Sequence, residues 1–528
     1  MNPFKKAFII VLDGFGLADA GPGNAITQAG MPFLNSLIAE YPSMSVSAAG
    51  LVVGLPWGQP GNSEVGHAAI GTGRIIIQDL AHINHEIRTG NFFKNEALVQ
   101  AVEHAKKNDS ALHLMGCTSP GGIHAHTDHL IALLELASKH KVKRIFVHFI
   151  ADGQDMPPQD AVNVLQMLKP HLEKAGARIA SVTGRSFAMD RVLNWKLTEK
   201  VWHSVVLGDA PGISDADSYI RESYAKGMTD YDIEPVTVTD NGQPIGSVGD
   251  NDAFIFFDYR NDRVKQLSTP FIVTDGFADF DRVRMPANLY VATMTKYSEE
   301  LNAPIAYPPL ELPETLGEMI SRQGWRQYRI AEKEKEAHVT NFFNGGRITP
   351  LNGEERIIVS SRAMKGKEYL EHPEMSAEKI VETVLAKKDE DGRLYVINFA
   401  NPDMIGHTGN LDASIKACLV TDESVRRIVE VVGRDEGSVV IITADHGNAE
   451  ELFDPATGKE GDTQHSARNV PVLIVAPRYK GKGTSGMSLE GLAQEAPVGT
   501  LVDIAPTTLT LLGLQTPGQM SGSPLISI

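Results

Sequence analysis

The chain has 528 residues, of which 42% are hydrophobic and 22% charged, and this is the composition of a globular protein too long for one compact core. Its formal net charge of −17 argues against a nucleic-acid backbone or an anionic membrane as a general partner. The two cysteines cannot form a disulfide framework and suit a reducing cytosol, and no apolar run approaches the length of a membrane span. We therefore expect a cytoplasmic protein of two or three domains that binds neither nucleic acid nor membranes.

Acidic residues follow three apolar runs that lack polar alternation. The runs are residues 8–12, 394–399 and 438–443, and the acids after them are Asp13, Asp403 and Asp445. Such runs are typical of strands buried on both faces of a parallel sheet, and ligands of open α/β sheets bind at the carboxyl ends of the strands. The simplest architecture is one sheet made from both ends of the chain, with these acids at one edge.

A second series of short apolar strands lies between the two ends of the chain. Its predicted strands are residues 111–115, 144–150, 178–182, 254–257 and 289–293, with helical stretches between several of them. A proline-rich stretch, residues 303–313, follows and suits a semi-rigid hinge or linker. We predict a discontinuous domain of residues 1–77 and 311–528, with an inserted α/β domain of residues 78–310.

Shorter patterns give further predictions. They indicate one helix over residues 25–39, a short strand or loop over 45–53, and helices around 81–88 and 96–106. Residues 58–67 form a glycine-rich turn that contains Ser63. Glycines let a backbone bend tightly and approach a ligand, so this serine could be presented to a substrate, although an ordinary surface turn has the same composition.

Three histidines accompany the three acids. Asp403 and His407 stand four residues apart, so on a helical turn they would share a face. His446 follows Asp445 directly, and His465 comes later in the chain. Mixed carboxylate and imidazole sites suit Zn, Mn or Fe rather than Ca, which prefers oxygen alone. The set predicts a metal site, and a serine beside two metal ions would be an activated nucleophile for in-line displacement at a phosphoryl group.

The predicted insert carries a separate polar cluster. It contains a histidine, an acid and four arginines: His124, Asp155, Arg185, Arg191, Arg260 and Arg263. Guanidinium groups bind phosphate and carboxylate bidentately, so four of them in an acidic protein could clamp an anion, although each alone could be a solvated surface charge. Lys335 lies in a charge run that would otherwise be interpreted as a solvated helix face.

Three long motifs carry a resemblance to a known family. They are residues 61–67 (Gly-Asn-Ser-Glu-Val-Gly-His), 401–409 (Asn-Pro-Asp-Met-Ile-Gly-His-Thr-Gly) and 443–450 (Thr-Ala-Asp-His-Gly-Asn-Ala-Glu). With them the chain resembles the cofactor-independent phosphoglycerate mutases of the alkaline-phosphatase superfamily, nearly end to end. The resemblance implies an alkaline-phosphatase-like α/β core sheet with helices on both faces, and an inserted substrate-binding domain that closes over the metals to keep water out.

The resemblance also implies an activity. Members are isomerases that interconvert 2- and 3-phosphoglycerate in glycolysis and gluconeogenesis, with two Mn²⁺ and no 2,3-bisphosphoglycerate. By motif, one metal would be bound by Asp403, His407 and His465, and the other by Asp13, Ser63, Asp445 and His446. Ser63 would take the phosphoryl group, giving phosphoserine and bound glycerate, and the glycerate would be rephosphorylated on its other hydroxyl.

The remaining motif residues would handle the substrate. Asp155 would act as the acid and base that shuttles protons between the two hydroxyls, and Lys335 would take part in catalysis. Phosphate and carboxylate would be bound by His124, Gln154, Asp155, Arg185, Arg191, Arg260, Arg263 and Lys335. The expected partners are small phosphoglycerates, and nothing in the sequence demands more than a monomer.

Two positions depart from the family pattern. Gln154 stands where the family usually has arginine, and Pro120 stands where it usually has aspartate. Losing a charge-assisted pair should weaken substrate binding or alter its orientation, although Gln154 can still donate a neutral hydrogen bond.

Two other functions stay open at this point. The first is a metal-dependent phosphatase or another phosphomutase of the superfamily, such as a phosphopentomutase. Its products would differ from those of a phosphoglycerate mutase. The second is a non-catalytic binding protein on a retained fold, which would have lost Ser63 or metal ligands, and none is lost.

Overall fold

The computed structural model describes residues 2–309, 312–361, 368–453 and 457–526. The chain forms two compact units: the first consists of Met1–Gln78 and Glu311–Ile528, and the second of Asp79–Leu310. Each unit has its own eight-stranded sheet. The α/β fold class is confirmed. Among the described residues, no helix is both long and apolar enough to cross a membrane.

The strands and helices follow in chain order. The strands are β1 (Lys6–Leu12), β2 (Ser43–Ser47), β3 (Ala111–Cys117), β4 (Arg144–Ala151), β5 (Ala177–Gly184), β6 (Gly212–Ile213), β7 (Val236–Asp240), β8 (Gln243–Pro244), β9 (Ala253–Phe256), β10 (Tyr290–Thr293), β11 (Arg326–Glu332), β12 (Glu354–Val359), β13 (Gly392–Phe399), β14 (Ser438–Thr443), β15 (Val470–Val475) and β16 (Gly499–Thr500). The α-helices are α1 (Ala25–Ala29), α2 (Pro32–Glu40), α3 (Ser63–Thr72), α4 (Asp79–Thr89), α5 (Glu96–Lys107), α6 (Thr127–Lys139), α7 (Ala161–Ala175), α8 (Arg185–Ala188), α9 (Trp195–Trp202), α10 (Ala216–Ala225), α11 (Asn261–Ile272), α12 (Leu316–Arg322), α13 (Glu368–Glu371), α14 (Ala377–Lys387), α15 (Asn401–Gly406), α16 (Leu411–Val432), α17 (Leu489–Gln494) and α18 (Ile504–Leu511).

The sheet of the first unit is made from both ends of the chain. Its order is β12-β11-β13-β1-β14-β15-β2-β16, and the five strands from β12 to β14 are parallel. Strand β1 lies between β13 and β14, and residues 7–12 are all buried. Continuous apolar runs fold this way because both faces of a central parallel strand are covered. The three predicted buried strands are therefore confirmed.

The second unit has the order β10-β9-β3-β4-β5-β7-β6, with β8 paired to β7. The strands from β10 to β5 are parallel, and β7 runs antiparallel to β5. All five strands predicted here are present, with ends that differ by a few residues. The helices predicted around 81–88 and 96–106 correspond to α4 and α5.

The helix predicted over residues 25–39 is wrong, because two helices lie there. Helix α1 ends at Ala29 and is capped by Gly30, whose φ is 72°, and the next residue, Met31, has a φ of 38°. Pro32 then opens α2 at its first position, where the missing N–H of proline costs no hydrogen bond. The apolar periodicity continued across this break and concealed it.

Two other segments differ from or refine the predictions. Residues 45–53 divide into the end of β2 and a 3-10 turn, Gly50–Val53. The glycine-rich turn ends at Asn62, and Ser63 is the first residue of α3 rather than a turn residue. Of the proline-rich stretch, residues 310 and 311 lie outside the described residues, and its role as a hinge stays a prediction.

A chain of buried polar side chains crosses the sheet of the second unit. Nε2 of His113 lies 3.1 Å from Oδ2 of Asp252, and Nδ1 of His113 lies 3.0 Å from Nε2 of His148. Nδ1 of His148 lies 2.8 Å from Oγ of Ser181. These residues come from β3, β4 and β5 and from the residue before β9, which are neighbouring strands. Polar groups are tolerated in this core because they are bonded to one another.

Replacing Asp252 by asparagine should destabilise the second unit. The Asp252 carboxylate accepts hydrogen bonds from the backbone amides of Ala111 at 2.7 Å and Gly249 at 2.6 Å, and from His113. An amide turns one acceptor into a donor and leaves a buried donor unpaired, which costs roughly 2–4 kcal/mol. Urea unfolding followed by circular dichroism would measure the loss, and the exposed Asp275→Asn substitution is the control, with no expected change.

The same variant should reveal a pH dependence of known sign. Burial would raise the pKa of Asp252, but the hydrogen bond and charge of His113 and the two amide donors lower it below 3.8. A carboxylate whose folded pKa is lowered contributes stability above its unfolded pKa, and this stability is lost as the pH falls through the folded value. The difference in unfolding free energy between wild type and Asp252→Asn should be constant near neutral pH and shrink only below pH 3.8. A difference unaffected by acid would contradict this account.

Candidate active site

The carboxyl ends of three adjacent strands of the first unit meet at one edge of its sheet. Asp13 follows β1, Asp445 follows β14, and Asp403 lies in α15, directly after β13. The parallel register brings these strand ends level, and all three carboxylates are buried. The predicted edge of acids is present in the structure.

Helix α3 brings Ser63 to this edge. The side chain of Asn62 caps the helix by accepting a hydrogen bond from the amide of Val65 at 2.9 Å. Gly66 lies where the helix packs against Asp445, and a Cβ at this position would be 2.4 Å from the Asp445 carbonyl oxygen. The absence of a side chain at Gly66 therefore allows the start of the helix, with Ser63, to approach the acids.

Three polar groups surround the Ser63 hydroxyl. Its Oγ donates to Oδ1 of Asp13 at 3.1 Å and lies 3.0 Å from Nε2 of His446. The ammonium of Lys335 donates to the same Oγ at 2.9 Å. The side chain is almost completely buried. A hydroxyl held by a cation and an imidazole is placed to act as a nucleophile.

Lys335 is a buried cation between carboxylates. Its Nζ donates to Oδ1 of Asp13 at 2.6 Å and to Oδ2 of Asp403 at 2.7 Å. Burial disfavours the ammonium, but the two carboxylates outweigh burial and raise the pKa of Lys335 above its ordinary value. The alternative interpretation of this charge run as a solvated helix face is wrong, because Lys335 ends a 3-10 turn after β11 and is only 4% exposed.

The electric field of this edge favours positive charge. Burial would raise the pKa of Asp13 and Asp403, yet Lys335 and the neighbouring imidazoles hold both values well below the usual carboxyl range. Burial would lower the pKa of His446, but Asp445 and then Asp13 and Asp403 raise it to about 10. Asp13 and Asp403 thus remain ionised together in a region shielded from water.

Two histidines show that a metal ion fits here. Nδ1 of His407 is 2.9 Å from the carbonyl of Thr463, and Nδ1 of His465 is 3.0 Å from the carbonyl of Gly61. The ring proton of each is therefore on Nδ1, and the two Nε2 atoms, which carry the lone pairs, lie 3.1 Å apart. Both Nε2 atoms are 3.3 Å from Oδ1 of Asp403. Three electron-pair donors that converge without a hydrogen between them are a natural ligand set for a cation.

Further groups of candidate ligands share these residues. Asp13, Asp403 and His446 form one group, and Asp13, His67 and Asp445 form another. In each group, as in that of Asp403, His407 and His465, the ligand atoms all lie within 4.8 Å of one another. Mixed carboxylate and imidazole donors fit a divalent transition metal.

In the second unit, Arg185 gathers a buried polar cluster. Its Nη1 donates to Oδ1 of Asp152 at 2.6 Å and to Oδ2 of Asp155 at 2.5 Å, and its Nη2 is 2.8 Å from Nε2 of His124. Because Nε2 accepts this bond, the ring proton of His124 is on Nδ1. Burial and then the charge of Arg185 lower the pKa of His124 to about 4.

Asp262 collects the other arginines. Its carboxylate lies 3.1 Å from Nη1 of Arg191, 3.3 Å from Nε of Arg260 and 4.0 Å from Nε of Arg263. It also lies 3.6 Å from Nδ1 of His124. A single acid therefore offsets the repulsion among three guanidinium groups, which leaves them positioned to take a larger anion.

The structure places the predicted site residues in two sets. The first unit holds Asp13, Ser63, Lys335, Asp403, His407, Asp445, His446 and His465 at one sheet edge. The second unit holds His124, Asp155, Arg185, Arg191, Arg260 and Arg263 around Asp152 and Asp262, and Gln154 is exposed.

Several of the described residues that contact these sets were not predicted from the sequence. They include His67, Asp152, Asp262 and Asn398. Signals existed for three of them: His67 stands four residues after Ser63, Asp152 follows the strand predicted over 144–150, and Asp262 lies between two predicted arginines. Asn398 lies inside an apolar run and gave no signal.

The ligand set of Asp403, His407 and His465 predicts the effect of a single substitution. Replacing His407 by alanine should lower the affinity for one divalent ion by roughly 100-fold or more, because the substitution removes one of its three candidate protein ligands. Calorimetric titration of chelator-treated protein with Mn²⁺ would measure the number of sites and their affinities. His85→Ala, at an exposed histidine of the second unit, is the control and should bind as the wild type does. Equal binding by both variants would exclude His407 from the ligand set.

Comparison with known proteins identifies the family. Residues 83–299 match the family model described as the N-terminus of BPG-independent PGAM, and residues 360–514 match the sulfatase model. The chain is 42% identical to the 2,3-bisphosphoglycerate-independent phosphoglycerate mutase of Moorella thermoacetica, over 99% of this chain and 98% of the relative. It is 43% identical to phosphoglycerate mutase 1 of this type from Methanosarcina barkeri, with the same coverage of both chains.

A solved structure agrees with these matches. The phosphoglycerate mutase of Leishmania mexicana, crystallised at low cobalt concentration, superposes with a TM-score of 0.70 and 30% identity, over 99% of this chain and 97% of that one. Similarity of sequence and of fold extends over the whole chain, and the resemblance found in the motifs is confirmed. The chain belongs to the family of 2,3-bisphosphoglycerate-independent phosphoglycerate mutases.

Proposed function

We propose that this protein interconverts 2- and 3-phosphoglycerate, without 2,3-bisphosphoglycerate, in glycolysis and gluconeogenesis. The observation that carries the proposal is the Ser63 hydroxyl, which lies between Nζ of Lys335 at 2.9 Å and Nε2 of His446 at 3.0 Å. The relatives from Moorella thermoacetica and Methanosarcina barkeri, which share more than two fifths of their residues with this chain, support the substrate by their names.

The first unit would hold two divalent ions, which we propose to be Mn²⁺. One would be held by Asp403, His407 and His465, and the other by Asp13, Ser63, Asp445 and His446. Bound ions would favour the ionised serine and neutralise charge on the transferred phosphoryl group. The solved relative described at low cobalt concentration supports a divalent ion in general and leaves Mn²⁺ to experiment.

Ser63 and Lys335 would carry the phosphoryl transfer. A bond forms between Ser63 Oγ and phosphorus while the bond from phosphorus to the substrate oxygen breaks. Ser63 releases its hydroxyl proton to solvent, and Asp155 supplies the proton that the departing glycerate oxygen gains. Lys335 stays charged between Asp13 and Asp403, so its ammonium stabilises the developing charge on Oγ and on the phosphoryl oxygens. The second half of the reaction is the reverse, at the other glycerate hydroxyl.

The second unit would bind the glycerate part and move its proton. We assign Asp155 as the acid and base, with its Oδ2 held by Arg185 at 2.5 Å and lying 3.8 Å from Nε2 of His124. The arginines around Asp262 would bind the substrate carboxylate and phosphate bidentately. His124 would offer its Nδ1 proton, because Arg185 already uses Nε2.

We also propose a monomer that acts in the cytoplasm, with no nucleic-acid or membrane partner. One chain supplies all the candidate ligands and the nucleophile. Both cysteines, Cys117 and Cys418, are buried free thiols, and the net charge is −17. These features suit a reducing, aqueous compartment.

A coupled assay would test the proposed reaction. Purified protein receives 3-phosphoglycerate and Mn²⁺ without 2,3-bisphosphoglycerate, enolase reports 2-phosphoglycerate, and inorganic phosphate is read in parallel. We expect turnover without phosphate release, abolished by chelator. Ser63→Ala should lower turnover by at least about 10³-fold, because loss of a nucleophile removes the covalent route. Ser36→Ala, at an exposed serine of the same unit, is the control.

Each other outcome contradicts the proposal in a definite way. Phosphate release without 2-phosphoglycerate would identify a phosphatase. No reaction of either kind would indicate another phosphorylated substrate or a binding protein. Full activity of Ser63→Ala would exclude the phosphoserine route and leave direct transfer between hydroxyls.

Restoring the family's usual arginine at position 154 should strengthen substrate binding. Gln154 is exposed beside Asp155 and offers a neutral amide in place of a guanidinium. A charge-assisted bond is about 1 kcal/mol stronger than a neutral one, so Gln154→Arg should lower KM about fivefold and leave kcat nearly unchanged. Steady-state kinetics would measure both constants. Gln159→Arg adds the same charge at a nearby exposed position, and an equal effect there would assign the change to overall charge instead.

A further inference from the structure

Two buried polar residues lie behind the carboxylates of the first unit, and the proposed mechanism gives them no role. His67 is in α3, one helical turn after Ser63, and Asn398 is in β13. Both side chains are completely inaccessible to solvent. Buried amides and imidazoles are costly unless their hydrogen bonds are satisfied, so the bonds that they make indicate what they do.

The orientation of the Asn398 amide follows from its neighbours. Its Nδ2 lies 2.6 Å from Oδ2 of Asp13 and 3.1 Å from Nε2 of His67. The opposite orientation would place the amide oxygen 2.6 Å from a carboxylate oxygen, which is repulsive. Nδ2 has two hydrogens and can therefore donate to both partners.

This orientation decides the tautomer of His67. Because Nε2 accepts a hydrogen bond from Asn398, the ring proton is on Nδ1. Nδ1 is directed at the carbonyl of Ser63, 2.9 Å away. Oδ2 of Asp445 lies 3.1 Å from the same nitrogen, off the line of this bond, and has no hydrogen-bond donor of its own in the part of the chain that the structure describes.

The distances alone allow a different role for His67. Asp13, His67 and Asp445 have ligand atoms within 4.8 Å of one another and could hold an ion themselves. A ligand nitrogen needs a free lone pair, however, and Nε2 of His67 is occupied by Asn398 while Nδ1 carries the proton. The hydrogen bonds therefore exclude direct ligation in this arrangement.

We infer that His67 and Asn398 are a positioning pair that orients Asp13 and the backbone of Ser63 for the metal ions, and that His67 is not itself a ligand. The inference rests on the two-metal site of the proposed function. Asn398 fixes Oδ2 of Asp13, which leaves Oδ1 facing Ser63 and Lys335. His67 fixes the start of α3 and leaves Oδ2 of Asp445 free to bind a cation. Partners of this kind behind metal ligands typically change affinity by 10- to 100-fold.

Titration of metal-free protein with Mn²⁺ would test the pair. Wild type, His67→Asn, His67→Leu and Asn398→Leu are treated with chelator and titrated by calorimetry, which gives the number of sites and their affinities without any measurement of activity. In His67→Asn, the amide nitrogen falls near the position of Nδ1 and can still donate to the Ser63 carbonyl. In His67→Leu, both polar atoms are lost.

A positioning role predicts a specific pattern. His67→Asn should keep two sites, with affinities within about threefold of the wild type. His67→Leu and Asn398→Leu should keep two sites, with one weakened about 10- to 100-fold. The double variant His67→Leu with Asn398→Leu should bind no more weakly than the weaker single variant, because residues that act as one unit are not additive.

Other patterns overturn the inference. Loss of one site in His67→Asn would make His67 a ligand. Fully additive effects in the double variant would show that the two residues act separately. If the wild type itself binds fewer than two ions, the proposed metal site is wrong and the inference falls with it. If the wild type binds two and only the His67→Asn result differs, the metal site stands and the inference alone fails.

Thermal unfolding of the metal-free proteins shows whether each variant is folded. His67→Asn and Asn398→Leu should still unfold cooperatively. Asparagine fits within the space that the histidine side chain occupies, and leucine has nearly the same shape as asparagine. If His67→Leu fails to fold, His67→Asn still decides between the two roles. This variant loses one metal site if His67 is a ligand, and it keeps both sites if His67 is a positioning residue.

Discussion

The first unit depends on holding three buried carboxylates, those of Asp13, Asp403 and Asp445, close together away from water. Burying one ion costs several kcal/mol unless it is paired, and like charges at adjacent strand ends add repulsion. Lys335 offsets part of this by contacting Asp13 and Asp403 at 2.6 and 2.7 Å. The same acids raise the pKa of His446 to about 10, so this edge of the sheet favours added positive charge. The site is thus compatible with a divalent metal ion, and the same lysine donates a hydrogen bond to Ser63 Oγ.

Such a site needs rigid connections between its loops, and Glu450 provides one. Its Oε2 accepts from the amide of Gly16 at 3.0 Å, three residues after Asp13, and from the amide of Asn448 at 2.9 Å, two residues after His446. One buried carboxylate thereby joins the loops that follow β1 and β14. Candidate ligands from distant parts of the sequence keep their mutual geometry because these loops cannot move independently.

The second unit applies the same principle with the charges reversed. Arg185 is buried and bonded to Asp152 and Asp155, while Asp262 holds the more exposed Arg191 and Arg260. Clustered guanidinium groups repel one another when no anion is bound, and the acids between them reduce this repulsion. Guanidinium groups arranged in this way match the bidentate geometry of carboxylate and phosphate groups.

The amino-acid sequence alone determined the central strands of both sheets and the main chemical groups of this protein. Apolar runs without polar alternation predict buried strands, so the acids at their ends, such as Asp13 and Asp445, could be identified as site residues from their positions in the chain. The sequence could not show the break at Gly30, because apolar spacing continues across it. Nor could it show that Lys335 is buried or that Asn398 donates to Asp13, since both contacts join residues more than 300 positions apart. Only the tertiary structure decides such contacts, because side chains distant in sequence become neighbours only when strands pair and helices pack.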